Sequence, residues 1–235
     1  MAELSGRARR MLERGTRGPH PTGAEMARLL DGAGVPATDA LLDAAARFGG
    51  SAYRVRGRDE VMPVRVALLW PGVGAGVDDE VLADLPVPGD ERCYVAYVDH
   101  GLGESYFRLD GDGTLYIDRL PMAASIDTFL ESEALLDELR DVASRWHEVR
   151  VEEVTADAMW LDSRIGLPFI PAASDRFTIW WGDDDARVSL GCDGVVLAYT
   201  RTSDEAKALV DIVRGRPAGL ANLRAWPLRP GYGES

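Results

Sequence analysis

Four stretches of this 235-residue chain hold residue types that could do chemistry. In the first, Asp99 and His100 stand side by side with Glu104 close behind. A carboxylate beside an imidazole can orient a general base or contribute to a metal site. The chain has three histidines, at 20, 100 and 147, none of them i, i+4 from another, so the stretch reads better as a solvated loop. In the second, Asp110 and Asp112 begin a calcium-loop spacing, but such a loop needs glycine at its sixth position, where this chain has Leu115. The pair reads as turn chemistry. In the third, Pro71-Gly72-Val73-Gly74-Ala75-Gly76 follows an apolar run and could cradle a phosphate. Its spacing is G-x-G-x-G without a Lys-Ser/Thr pair, and Asp78, Asp79 and Glu80 follow where the phosphate would sit. In the fourth, Trp180-Trp181 precedes Asp183-Asp184-Asp185. Adjacent strand residues point to opposite faces, so one indole can be core while the other, exposed and rimmed by acids, anchors a protein partner. Alternatively both are buried, one in each of two packed layers. No G-x-S-x-G occurs, and no cysteine lies near a histidine in sequence. No catalytic residue, metal or cofactor is expected.

The elements that must position these groups follow from periodicity and turn chemistry. Leu4, Ala8, Met11 and Leu12 share one face of a short basic helix. Thr22-Gly23-Ala24-Glu25 is a capping box opening a helix that turns Met26, Leu29 and Leu30 inward. A second helix starts around Thr38, buries Leu41, Leu42 and Ala45, and ends before Gly49-Gly50. Val64 to Trp70, Tyr94 to Asp99, Tyr106 to Asp110 and Thr114 to Asp118 read as strands, the last two joined by the turn Asp110-Gly111-Asp112-Gly113. Ser125 caps a helix carrying Ile126, Phe129, Leu130, Leu136, Leu139 and Ala143 at helical spacing. From Trp146 onward Val149 and Val151 alternate with charges in a strand, and Pro168 and Pro171 flank an irregular segment. Phe177 to Trp181, Arg187 to Leu190 and Val195 to Tyr199 form a meander. A second capping box, Thr202 to Glu205, opens a helix with Ala206, Leu209, Val210 and Val213 inward and Gly215 at its end. This β-β-β-α order echoes the central meander and its helix. The tail from Pro217 reads as an extended arm that Trp226 could pin.

The formal net charge of −13 disfavours nucleic acid and anionic membranes and suits a basic partner, or simply solubility. No run of apolar residues is long enough to span a bilayer. The arginine-rich first 17 residues lack the apolar region of a secretory signal. Cys93 and Cys192 read as two unpaired cysteines of a cytoplasmic protein.

The run Phe107-Arg108-Leu109-Asp110-Gly111-Asp112-Gly113-Thr114-Leu115-Tyr116, followed by Ala123-Ala124-Ser125-Ile126-Asp127-Thr128-Phe129-Leu130, resembles the SMI1/KNR4 (SUKH) superfamily. Gly34-Val35-Pro36 and Phe48-Gly49-Gly50 look like the opening of the same pattern. The resemblance runs from about Thr22 to Leu139. The stretch Ser51 to Arg92 departs from it, and nothing after about Trp146 is covered. It implies an α+β fold: a central antiparallel sheet with helices on one face, here followed by a small α+β extension. It also implies a bacterial immunity protein that binds and neutralises a cognate toxin, with no catalytic set to carry over. The expected organisation is 1–146 for the SMI1/KNR4-like domain, 147–216 for the extension and 217–235 for the tail. The residues expected to face the partner, a protein with a basic surface, are Trp180, Trp181, Asp183, Asp184, Asp185, Asp78, Asp79, Glu80, His100 and Glu104. The alternatives are a regulatory or scaffolding protein of the same type and an enzyme with an acidic site near Asp99 and His100.

Overall fold

The computed structural model describes residues 3–32, 36–56, 61–68, 96–99, 106–109, 111–117, 120–141, 146–152, 154 and 158–215. Asp78, Asp79, Glu80, His100, Glu104, the glycine loop 71–76, Cys93 and the tail 217–235 lie outside them. The chain is α+β, with six helices and antiparallel strand pairing among the described residues. It divides into two compact units, Arg9–Val55 with Glu60–Pro121, and Met1–Ala8 with Arg56–Asp59 and Met122–Ser235. Met122 onward clusters with the second unit.

Helix α1 (Gly6–Glu13) buries Ala8 and Met11, three residues apart on one face, as expected. In the first unit, α2 (Gly23–Gly32) opens on the anticipated capping box. The Thr22 N–H donates to Glu25 Oε2 (2.8 Å) and the Glu25 N–H to Thr22 Oγ1 (3.3 Å). Helix α3 (Asp39–Phe48) is capped by Thr38 and buries Leu41, Ala44, Ala45 and Phe48. Leu42, expected inward, is only partly buried. Gly50, at φ 76°, takes the left-handed exit that a residue with a Cβ resists.

The strands of this unit follow one another in a meander: β1 (Thr16–Arg17), β2 (Ser51–Arg56), β3 (Val61–Leu68), β4 (Ala96–Asp99), β5 (Tyr106–Leu109) and β6 (Leu115–Ile117). Strand β7 (Leu120–Ala123) ends the sheet order. Strand β2 has no counterpart among the expected elements, although Tyr53 and Val55 are buried while Arg54 between them is exposed, a period of two. The β5–β6 register puts Arg108 opposite Tyr116. At the turn between them, Gly113 sits at φ 91° and Asp112 Oδ1 accepts from the Thr114 N–H (2.8 Å). Thr38 Oγ1 donates to the Gly111 carbonyl (2.6 Å), so the cap of α3 and the hairpin tip share one contact.

The second unit is built on a four-stranded sheet in the order β8 (His147–Val151), β11 (Val196–Thr200), β10 (Ala186–Gly191), β9 (Thr178–Gly182). Its register aligns Trp181, Val188, Ala198 and Val149 in one row and Ile179, Leu190, Val196 and Val151 in another. These rows share a face, because residues two apart on a strand do. They form one apolar cluster with Ala158, Leu161 and Ile165 of α5 (Ala158–Ile165) and Leu209 and Val213 of α6 (Ser203–Arg214). The opposite face carries Trp180 and Tyr199, which pack with Ala173 and with Leu135 and Leu139 of α4 (Ile126–Leu139). Both faces of this sheet are therefore covered, and α4 belongs to the unit whose sheet it covers.

Helix α5 has no counterpart among the expected elements. Its signal is the spacing of Ala158, Leu161 and Ile165, and the helix ends before Gly166 (φ 65°) and Pro168. Helix α4 begins at Ser125 as expected, but Leu136 is only partly buried and the helix ends at Leu139. Ala143 lies beyond it, outside the described residues.

Candidate functional site

Of the residues expected to face a partner, the structure describes Trp180, Trp181, Asp183, Asp184 and Asp185, all on β9 and the turn after it. Of the two readings of the tryptophan pair, the structure gives the one with both rings buried: both tryptophans are 1% exposed. The four-stranded sheet is covered on both faces, so opposite directions lead into two cores. The Trp181 Nε1–H donates to Asp162 Oδ1 (2.8 Å) in the cluster under α5 and α6. The Trp180 Nε1–H donates to Ser132 Oγ (2.9 Å) on α4, and its ring stacks with Tyr199 at 6.5 Å between centroids. Each buried ring thus has its polar edge satisfied. Neither indole is available to a partner.

The acidic turn remains on the surface. Asp183, Asp184 and Asp185 are all exposed. Asp183 Oδ1 accepts from the backbone N–H groups of Asp185 (2.9 Å) and Ala186 (3.0 Å), and these bonds hold its carboxyl below the usual carboxylate range. Arg201, just past β11, fixes the turn from the other side. Its N–H donates to the Asp185 carbonyl (3.2 Å) and its Nη2 to the Asp184 carbonyl (3.3 Å). The same guanidinium lies over the Trp146 ring, 3.9 Å from its centroid, while Arg187 approaches that ring at 5.7 Å. The carboxylates of Asp184 and Asp185 therefore project from a turn whose backbone is already tied down.

A second polar grouping lies outside the residues singled out from the sequence. On α4, Glu131, Glu133 and Asp137 are buried at 3%, 8% and 4% exposure. The Glu131 carboxylate takes the backbone N–H of Ser5 (2.5 Å) and its hydroxyl (2.6 Å). Asp137 Oδ1 accepts from the Arg56 backbone N–H (3.0 Å) and pairs with its guanidinium (3.2 Å). Burial pushes the Glu133 carboxyl up to about 7, Arg140 pulling it down and Asp137 adding to the rise. Arg140, at the end of α4, pairs with Glu148 of β8 at 3.0 Å, both side chains largely covered. Burial also drives the Tyr199 phenol well above its ordinary value. A carboxyl near neutrality is what proton transfer requires, but the carboxylates flanking Glu133 are engaged in holding Ser5 and Arg56 against α4. The arrangement is an ion network that fastens helix to chain.

Two further polar groups are structural or poorly reactive. Asp175 receives the N–H groups of Ala124 (2.6 Å), Phe177 (2.7 Å) and Thr178 (3.1 Å), joining the entrance of α4 to β9. The Cys192 thiol is pushed up to about 11 by burial and by Asp193, the reverse of an activated nucleophile. Among the described residues no three His, Cys, Asp or Glu side chains are grouped to hold a metal, and no helix is long and apolar enough to cross a membrane. Comparison with family models, curated proteins and solved structures returns no match to this chain.

Proposed function

We propose that this chain is a non-catalytic protein-binding module of the SMI1/KNR4 (SUKH) type, a cytoplasmic immunity protein that occupies the functional surface of a cognate toxin. The observation that carries the reading is the acidic turn. Asp183, Asp184 and Asp185 are exposed on a backbone fixed by Asp183 and Arg201, in a chain of net charge −13. Carboxylates presented on an ordered turn lose little freedom when a cationic surface meets them, and complementary charge speeds the encounter. The central run that resembles the family, Phe107 to Tyr116 and Ala123 to Leu130, supports the same reading from the sequence. The partner is a protein with a basic surface, as befits a toxin domain that acts on nucleic acid.

Affinity capture from the native cell, with identification of what co-elutes, tests the proposal. A toxin should be recovered, and replacing Asp183, Asp184 and Asp185 together with Asn should slow its association and flatten the salt dependence of the rate. Stability should change little, since Asn at 183 retains a side-chain oxygen for the turn. Recovery of no toxin domain, or a recovered toxin whose association rate ignores the triple substitution, removes this reading.

A further inference from the structure

Two charged groups act directly on the buried Glu133 carboxyl of α4, Arg140 and Asp137, and both are already engaged. Asp137 accepts from the Arg56 backbone N–H and pairs with its guanidinium, and Arg56 also reaches Asp141 (3.5 Å). Arg140 pairs with Glu148 of β8, and its Nη1 donates to the Arg56 carbonyl (3.5 Å). The Tyr199 phenol of β11 stands beside both members of that pair. Around them, Glu131 takes Ser5, Glu138 takes Arg7 (2.6 Å), and Arg187 of β10 is drawn to Glu138 as well. The guanidiniums of Arg56 and Arg140 thus balance Asp137, Asp141 and Glu148 before Glu133 is counted, an excess of one negative charge.

Burial is the main reason the Glu133 carboxyl stands at about 7. Below that pH it is neutral and the existing pairs hold. Above it another negative charge enters the interior, where desolvation makes it costly. That charge can be relieved by water, which requires an opening, or by Arg140, which must then leave Glu148. Arg140 is the cap residue at the end of α4 and Glu148 lies on β8, so either route loosens the same junction. We propose that Glu133, Arg140 and Glu148 form a pH-sensitive latch, in which ionisation of Glu133 draws Arg140 from Glu148 and releases the end of α4 from β8. Burial of a carboxyl makes the whole fold less stable as pH rises. The shared arginine decides which part gives way first. The latch is separate from the acidic turn and does not depend on the toxin reading.

Hydrogen exchange of the full chain, corrected for the intrinsic rate at each pH, tests this. Amides of β8 and of the last turn of α4 should exchange through an opening of their own, faster than those of β10 in the same sheet. A carboxyl at about 7 when closed, against 4.5 when open, makes that opening about tenfold more populated at pH 8 than at pH 6. Glu133→Gln should abolish the rise. Glu148→Gln frees Arg140 for Glu133, so the Glu133 side chain should then titrate at a lower pH than in the parent. NMR of glutamate-labelled protein follows that titration, the Glu133 signal being the one lost in Glu133→Gln. Opening of β8 that ignores pH is ordinary fraying of an end strand and overturns the proposal, as does exchange of β8 only together with β10. A Glu133 midpoint unmoved or raised by Glu148→Gln shows that the two carboxylates do not compete for Arg140, and overturns it too.

Discussion

Helices α4 and α6 both cover the four-stranded sheet, one on each face, yet they bury different kinds of surface. Helix α6 keeps to one face. Ala206, Leu209 and Val213 are buried, while Asp204, Glu205 and Lys207 stay in solvent. Helix α4 is buried nearly all round: Ile126, Phe129, Leu130, Ala134, Leu135 and Leu139 are joined by Glu131, Glu133 and Asp137. The first is the amphipathic pattern of a surface helix. The second takes carboxylates out of water and so must supply them with donors and countercharge, which Ser5, Arg56 and Arg140 provide. Adjacent charges in a helix sequence therefore do not mark a solvent face when distant segments bring them partners.

The contrast can be broken from the apolar side first. Leu135→Ala on α4, at 1% exposure and packed with Trp180 and Tyr199, should cost about 3–4 kcal/mol, with the larger share coming from a cavity that rigid aromatic neighbours cannot close. Leu209→Ala on α6, at 8% exposure, should cost about 2 kcal/mol because solvent and the helix rim can relax into the gap. Denaturant midpoints at constant m-value measure both, and equal costs would erase the proposed difference between the helices.

A pH titration of stability sharpens the comparison next. Glu133 has its folded carboxyl raised from 4.5 to about 7, so between these values the folded chain binds more protons than the unfolded one. Unfolding free energy contributed by this group therefore falls as pH rises through that window and is fully lost above about 7. Glu133→Gln should remove that slope, leaving the variant the more stable protein at pH 8, by on the order of 1–3 kcal/mol, and nearly equal to the parent at pH 4. The opposite ordering, a variant weaker at pH 8, would mean that the ionised carboxylate is the favoured form in the fold.

Smaller effects distinguish the helix entrances and surfaces. Thr202→Ala removes the side-chain half of the capping box with Glu205 and should cost α6 about 1 kcal/mol. Thermal unfolding would read this as a fall of a few degrees. Lys207→Ala should change stability by less than about 0.5 kcal/mol, because its pair with Asp204 is largely exposed at 73% and 94%. A loss as large as that at Thr202 would show α6 to depend on its outer face.

Much of the secondary structure was legible because local signals agreed. Two capping boxes, the Ser125 and Thr38 caps, the Asp-Gly turn at Gly113 and the alternation of Val149 and Val151 all depend on residues a few positions apart. Strand β2 and helix α5 carried weaker versions of the same signals, obscured by short length and by neighbouring prolines. The acidic turn at Asp183 to Asp185 was also visible, since exposure at a hairpin follows from its composition. What only the tertiary structure decided is which layer covers which face. The strand period sends Trp180 and Trp181 in opposite directions, but whether either meets water depends on α4 lying under one face and α5 with α6 under the other. The same holds for Glu131 and Asp137. Their burial is possible because Ser5 and Arg56, 126 and 81 residues away, deliver hydrogen bonds that no local pattern encodes.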